Sequence, residues 1–86
     1  MPRISTFYGI VIEMYFGDHA PPHFHARYSG DEATIVIASG EILDGSLPPR
    51  ALRLVREWLS EHRAELAENF ELASDMQPVR PVAPLP

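Results

Sequence analysis

The feature that most constrains this chain is a change of hydrophobic period at Pro48-Pro49. Before the proline pair, apolar residues alternate with polar ones. After it, they recur at three- and four-residue steps. The first part therefore reads as strands and the second as a helix. The fold class that follows is α+β: a small antiparallel meander of three to four strands, with a C-terminal helix or bent helix pair packed on one face.

Ile4 to Phe16 is rich in β-branched and aromatic residues and reads as one strand. Tyr8, Ile10, Ile12, Met14 and Phe16 line one face of it, and Phe7, Gly9, Val11, Glu13 and Tyr15 the other. Gly17 to Pro22 is a loop, since a proline pair cannot sit inside a ladder and Gly-Asp favours turning. His23 to Tyr28 alternates again, with Phe24, Ala26 and Tyr28 against His23, His25 and Arg27. Ser29-Gly30 is a turn. Glu32 to Ala38 is a third strand that turns Ala33, Ile35 and Ile37 to the core. After the Ser39-Gly40 turn, Glu41 to Leu43 makes a short fourth strand.

Proline at the first helical turn costs nothing, because its missing N–H would have no partner there. From Pro49 the stripe Leu52, Val55, Leu59, His62, Leu66, Phe70 and Ala73 predicts a helix to about Ser74. At ~1.5 Å per residue it would be ~40 Å long, more than such a sheet needs. A bend is expected near Ser60 to His62, with Ser60 capping the second segment. Trp58 reads as a core anchor and His62 as a structural histidine. Glu57, Glu61, Glu65 and Glu68, with Arg53, Arg56 and Arg63, form a solvated face. The end carries Pro78, Pro81 and Pro84, a spacing that favours polyproline II. It reads as a strap using Val82 and Leu85 to cover its own domain, with a peptide ligand for another protein as the alternative.

At 86 residues one domain is expected, residues 1–76, closed by the proline-rich strap at 77–86. No cysteine is present, which excludes disulfides, thiolate metal sites and a cysteine nucleophile and points to a reducing, cytoplasmic setting. Met1-Pro2-Arg3 leads into no signal-like apolar region, and no apolar run approaches the ~20 residues of a membrane span. All seven basic residues are arginine, against twelve carboxylates, for a net charge of -5. Such a chain is a poor general phosphate binder, so RNA binding would need a local arginine cluster.

The informative stretch is Asp18-His19-Ala20-Pro21-Pro22-His23-Phe24-His25. Residues two apart on a strand share a face, so His23, His25 and Arg27 project together. Pairing the core faces of the first two strands sets Tyr15 near His25 and Glu13 near Arg27, with Glu32 on the far side of Arg27. Phe7, Val11, Val36 and Leu43 add apolar area to this face. His19 stands on the loop at its edge, and a cis bond at Pro21 or Pro22 would fix where it points.

Three chemistries fit these residues. His23 and His25 can hold a divalent metal such as zinc, with His19 or a carboxylate as third ligand. Without metal, His25 or His23 can serve as general base or acid, with Arg27 stabilising a phosphorane-like charge and Tyr15 or Glu13 orienting. In the third, the histidines bond within the sheet and loop, and Glu13–Arg27–Glu32 forms a cross-strand ladder. The half-apolar face then packs on the tail or on a partner chain, a second copy included.

The segments Pro2-Arg3-Ile4-Ser5, Phe7-Tyr8-Gly9-Ile10 and Met14-Tyr15-Phe16, together with Asp18 to Ala26, resemble a bacterial "domain of unknown function" family, number 4160. The resemblance continues through Leu47-Pro48-Pro49-Arg50-Ala51-Leu52, Glu57-Trp58, His62-Arg63, Glu65-Leu66 and Glu68-Asn69. Phe70 stands where that family is expected to carry tryptophan, and the proline-rich end is similar to the family's close, which favours the strap. The resemblance implies a small cytoplasmic bacterial protein, often beside a second small family of unknown function, number 2442, in an arrangement similar to toxin–antitoxin pairs. It implies a small protein partner encoded nearby and an RNA-directed toxin role, and it supplies no catalytic residues. The expected functions are therefore a component of such a pair acting through the histidine face, an RNase-like or metal-dependent hydrolase centred on His23 and His25, or a non-enzymatic regulator that releases its partner when histidine protonates.

Overall fold

A computed structural model describes residues 2–86. Five strands form one antiparallel sheet in sequence order: β1 (Arg3–Phe7), β2 (Ile10–Glu13), β3 (His23–Tyr28), β4 (Asp31–Val36) and β5 (Ile42–Gly45). One helix, α1 (Pro49–Ser74), follows. The α+β class stands, with five strands instead of three to four.

The extra strand comes from Tyr8-Gly9. Both residues have positive φ, 51° and 80°, the backbone of a two-residue hairpin turn whose twist suits paired strands. The expected single strand from Ile4 to Phe16 is thus folded back on itself, with Phe7 opposite Ile10. Cross-strand partners share a face, so Phe7 goes to the core beside Ile10 and not to the histidine face. Tyr8 and Phe16, expected on the core face, are 55% and 45% exposed at the ends of the hairpin segment. The Ser29-Gly30 turn joins β3 to β4 in the same way, with φ of 47° and 91°.

The inner face carries Ile10, Ile12, Met14, Phe24, Ala26, Ala33, Ile35 and Ile37, all buried. Val55, Trp58, Leu59, Leu66 and Phe70 of α1 belong to the same core cluster. Trp58 is its anchor: its ring lies 5.2 Å from that of Phe7 and 5.8 Å from that of Phe24. The helix breaks where expected, since His62 has non-helical φ and ψ of -129° and 21°. Ser60 does not cap the second segment. Its hydroxyl donates to the Glu57 carbonyl at 2.7 Å, within its own turn. Two arginines of the charged face reach back to the sheet, Arg56 Nε to the Gly40 carbonyl at 3.0 Å and Arg63 Nε to the Ile37 carbonyl at 2.9 Å.

Beyond α1 the chain runs back over the core. The Asn69 carboxamide both donates to and accepts from the Arg80 backbone, at 2.8 and 2.9 Å. The Val82 N–H donates to the Ile4 carbonyl at the outer edge of β1, and the Trp58 indole N–H to the Ala83 carbonyl, both at 2.8 Å. Val82 is buried, Leu85 packs against the core, and the Tyr8 hydroxyl bonds to the Pro86 carbonyl. Among the described residues, no helix is long and apolar enough to cross a membrane.

Candidate functional site

The site lies where the loop from β2 enters β3. The loop is tied down at both ends: the Gly17 N–H donates to the Ala73 carbonyl at 2.9 Å, and the Ile37 N–H to the Pro22 carbonyl at 3.0 Å. The Ala20-Pro21 peptide is cis. Between these anchors the Asp18 carboxylate turns in towards β3, while His19 stays exposed with its backbone N–H on Asp18 Oδ1 at 3.2 Å.

His23 and His25 leave β3 on the face opposite the core, yet both are nearly buried at 8% exposure. His25 Nε2 lies 3.2 Å and His23 Nε2 2.8 Å from the same oxygen, Asp18 Oδ2. The rings meet edge to face, 5.2 Å apart at 83°. Each ring is fixed from its other nitrogen: His23 Nδ1 is 2.7 Å from the Pro21 carbonyl and His25 Nδ1 3.2 Å from the Thr34 hydroxyl. Phe70 of α1 backs His23 at 5.5 Å, and Tyr15 lies flat on His25.

Burial works against the Asp18 charge, but the hydrogen bonds from His25 and His23 outweigh it and hold the carboxyl below its usual range. Beside this cluster, Arg27 Nε and Nη2 clasp the two oxygens of the buried Glu13 at 3.1 and 3.2 Å. That hydrogen bond raises the guanidinium pKa. Burial first, then the charges of Glu32 and Glu13, push the Tyr15 hydroxyl above its ordinary value.

The structure thus gathers Tyr15, His23, His25, Arg27 and Glu13 on one end of the sheet, and adds Asp18 and Thr34. Glu32 pairs opposite Arg27. Glu13 sits opposite His25 and Val11 opposite Arg27, so the Glu13–Arg27 fork runs diagonally between strands. The residue that completes the histidine pair is Asp18, with His19 outside it. The sequence marks Asp18 only as a neighbour in the His19-Ala20-Pro21-Pro22 stretch, because strand alternation says nothing about loop side chains. Thr34 could have been found from register, since it pairs with His25.

Chemically, one carboxylate gripping two imidazoles can move protons or hold a cation. Among the described residues, a sequential antiparallel sheet and one helix carry a cluster of two histidines and one carboxylate, which defines a small α+β protein. The chain belongs to the family described as "Domain of unknown function (DUF4160)", which matches residues 9–71 of the 86. No curated protein and no solved structure matches it.

Proposed function

We propose that this chain is one component of a two-protein, toxin–antitoxin-like pair, and that it acts as a small RNase-like hydrolase through the Asp18–His23–His25 end of its sheet. The observation that carries the reading is the convergence of two nearly buried imidazoles on one carboxylate oxygen, at 2.8 and 3.2 Å. A carboxylate that holds imidazole in place is what general acid–base catalysis requires, and two adjacent rings can divide the roles of base and acid. Tyr15 and Glu13 orient the surroundings. The place of action is the bacterial cytoplasm, in keeping with a chain that carries no cysteine.

One observation favours a second reading, a non-enzymatic protein-binding face. Arg27, the group that would meet phosphoryl charge, is clasped by Glu13 through both Nε and Nη2. Exposed Phe16 and Met76 lie close by, since Gly17 follows Phe16 and faces the Met76 sulfur. Aromatic and methionine side chains beside charged ones suit a partner protein or a second copy.

The test is growth after induced expression of the chain alone, beside a His23→Ala/His25→Ala variant of matched soluble yield. Arrest by the wild type only, relieved by co-expressing the small protein encoded next to it, is the expected result. Normal growth with both would overturn the toxin reading and leave the binding face.

A further inference from the structure

We infer that Asp18, His23 and His25 form a binding site for one divalent transition-metal ion of the zinc class, through Asp18 Oδ2, His23 Nε2 and His25 Nε2. The inference rests on the reading of this cluster as the working end of the protein, with the imidazoles as metal ligands in place of base and acid, and its test needs no activity.

The first argument is a count of protons. The Pro21 carbonyl can only accept, so the His23 Nδ1 at 2.7 Å must carry a hydrogen. In a neutral ring the Nε2 then presents a lone pair, and it presents it to a carboxylate oxygen 2.8 Å away. Two lone pairs at that distance repel unless something positive lies with them, and a metal ion can fill that place for both rings at once, since His25 Nε2 lies 3.2 Å from the same oxygen.

The second argument is metric. Ligands held tetrahedrally at ~2.0–2.1 Å from a metal stand ~3.3 Å from one another. The Asp18 oxygen lies 2.8 and 3.2 Å from the two nitrogens, and all three ligand atoms fall within 4.8 Å. Opening the two Asp18 contacts by roughly half an ångström or less brings them to that separation.

The third argument is the outer shell. A metal-bound histidine uses its other nitrogen to meet a carbonyl, carboxylate or similar partner, which fixes the ring and its tautomer. His23 has the Pro21 carbonyl and His25 the Thr34 hydroxyl. Tyr15 and Phe70 shield the rings from the sides, at 4.0 and 5.5 Å. The Asp18 side chain is 24% exposed against 9% for each histidine, so the cluster meets solvent on the loop side. Two imidazoles and one carboxylate with an open position suit zinc and its first-row neighbours better than magnesium or calcium, which prefer all-oxygen shells.

The experiment is calorimetric titration of the chelator-treated full chain with Zn2+, and of a parallel sample with Co2+ followed by its visible absorption. One equivalent bound, a four- or five-coordinate cobalt spectrum and a raised Tm are expected. Asp18→Asn and His25→Ala should each weaken binding by more than about 100-fold, beyond the effect of losing an outer-shell partner. His19→Ala should leave affinity unchanged. Absence of stoichiometric binding by the wild type, or equal binding by the Asp18 and His25 variants, would overturn the site. Loss of binding in His19→Ala would overturn the assignment of Asp18. Zinc uptake without growth arrest would retain the metal site and remove the toxin; arrest without metal uptake would do the reverse.

Discussion

Tyr15 lies flat against His25, with ring centroids 4.0 Å apart and planes inclined by only 11°. The tyrosine follows β2 by two residues, so it reaches over the site from outside the ladder and closes the exposed side of the imidazole. Parallel offset contacts of this kind contribute ~0.5–1.5 kcal/mol beyond the area they cover. Tyr15→Phe keeps the ring and should leave stability within ~0.5 kcal/mol. Tyr15→Ala should lower it by about 1–2 kcal/mol, read as a fall in the urea midpoint at constant slope. Equal effects of the two substitutions would show that the hydroxyl, not the ring, matters.

Thr34 reaches the same imidazole from β4, with Oγ1 3.2 Å from His25 Nδ1. Thr34→Val replaces the hydroxyl by a methyl of similar size. If the cluster holds a metal, the variant should bind zinc about 10–100-fold more weakly, and the metal-free protein should lose about 1–3 kcal/mol where water does not reach the freed Nδ1. Unchanged zinc affinity would mean that Thr34 does not orient the ring.

Gly45 ends β5 against the backbone of β4. A Cβ placed there would stand 2.0 Å from the Glu32 carbonyl oxygen, and the residue has φ of +77°. Gly30 also has positive φ, +91°, but open space around it. Gly30→Ala should cost ~1–2 kcal/mol, the left-handed backbone cost alone. Gly45→Ala should cost at least ~1–3 kcal/mol more, because β5 must also move away from Glu32. Faster amide exchange across β5 in the Gly45 variant alone is the matching readout.

Asn69 is 2% exposed and spends its carboxamide on the Arg80 backbone. Asn69→Ala leaves an N–H and a carbonyl without their partner, at about 1–3 kcal/mol for each group that water does not reach. The expected result is a lower Tm, with protease cleavage appearing first between residues 75 and 86. Cleavage elsewhere in the chain at the same rate would mean that the tail is held by other contacts.

What could be read from the sequence follows the periodic parts of the chain. Proline at the start and the three–four spacing of Val55, Leu59, Leu66 and Phe70 define α1, and its excess length announces the break found at His62. The core faces of β3 and β4 follow from alternation at Phe24, Ala26, Ala33 and Ile35. Alternation alone does not reveal the Tyr8-Gly9 hairpin, because a tyrosine with φ of 51° is uncommon, and a strand running straight through it places Phe7 on the opposite face.

At the site, period two suffices to put His23, His25 and Arg27 on one side. It does not reveal that Asp18, from the aperiodic loop, faces them while its neighbour His19 faces solvent. It also sets Glu13 directly beside Arg27, whereas the strands are offset by two residues and the long arginine bridges the diagonal. Side-chain reach, not register, brings that pair together.

The bond from Val82 to the Ile4 carbonyl has a kinetic meaning. Each strand of the sheet pairs with its neighbour in sequence, so the ladder can zip through short loops. The outer rim of β1 is met by a segment that lies beyond α1 in sequence, a contact of long loop closure. The tail thus covers part of the β1 edge against pairing with another strand, while β5 forms the opposite edge of the sheet.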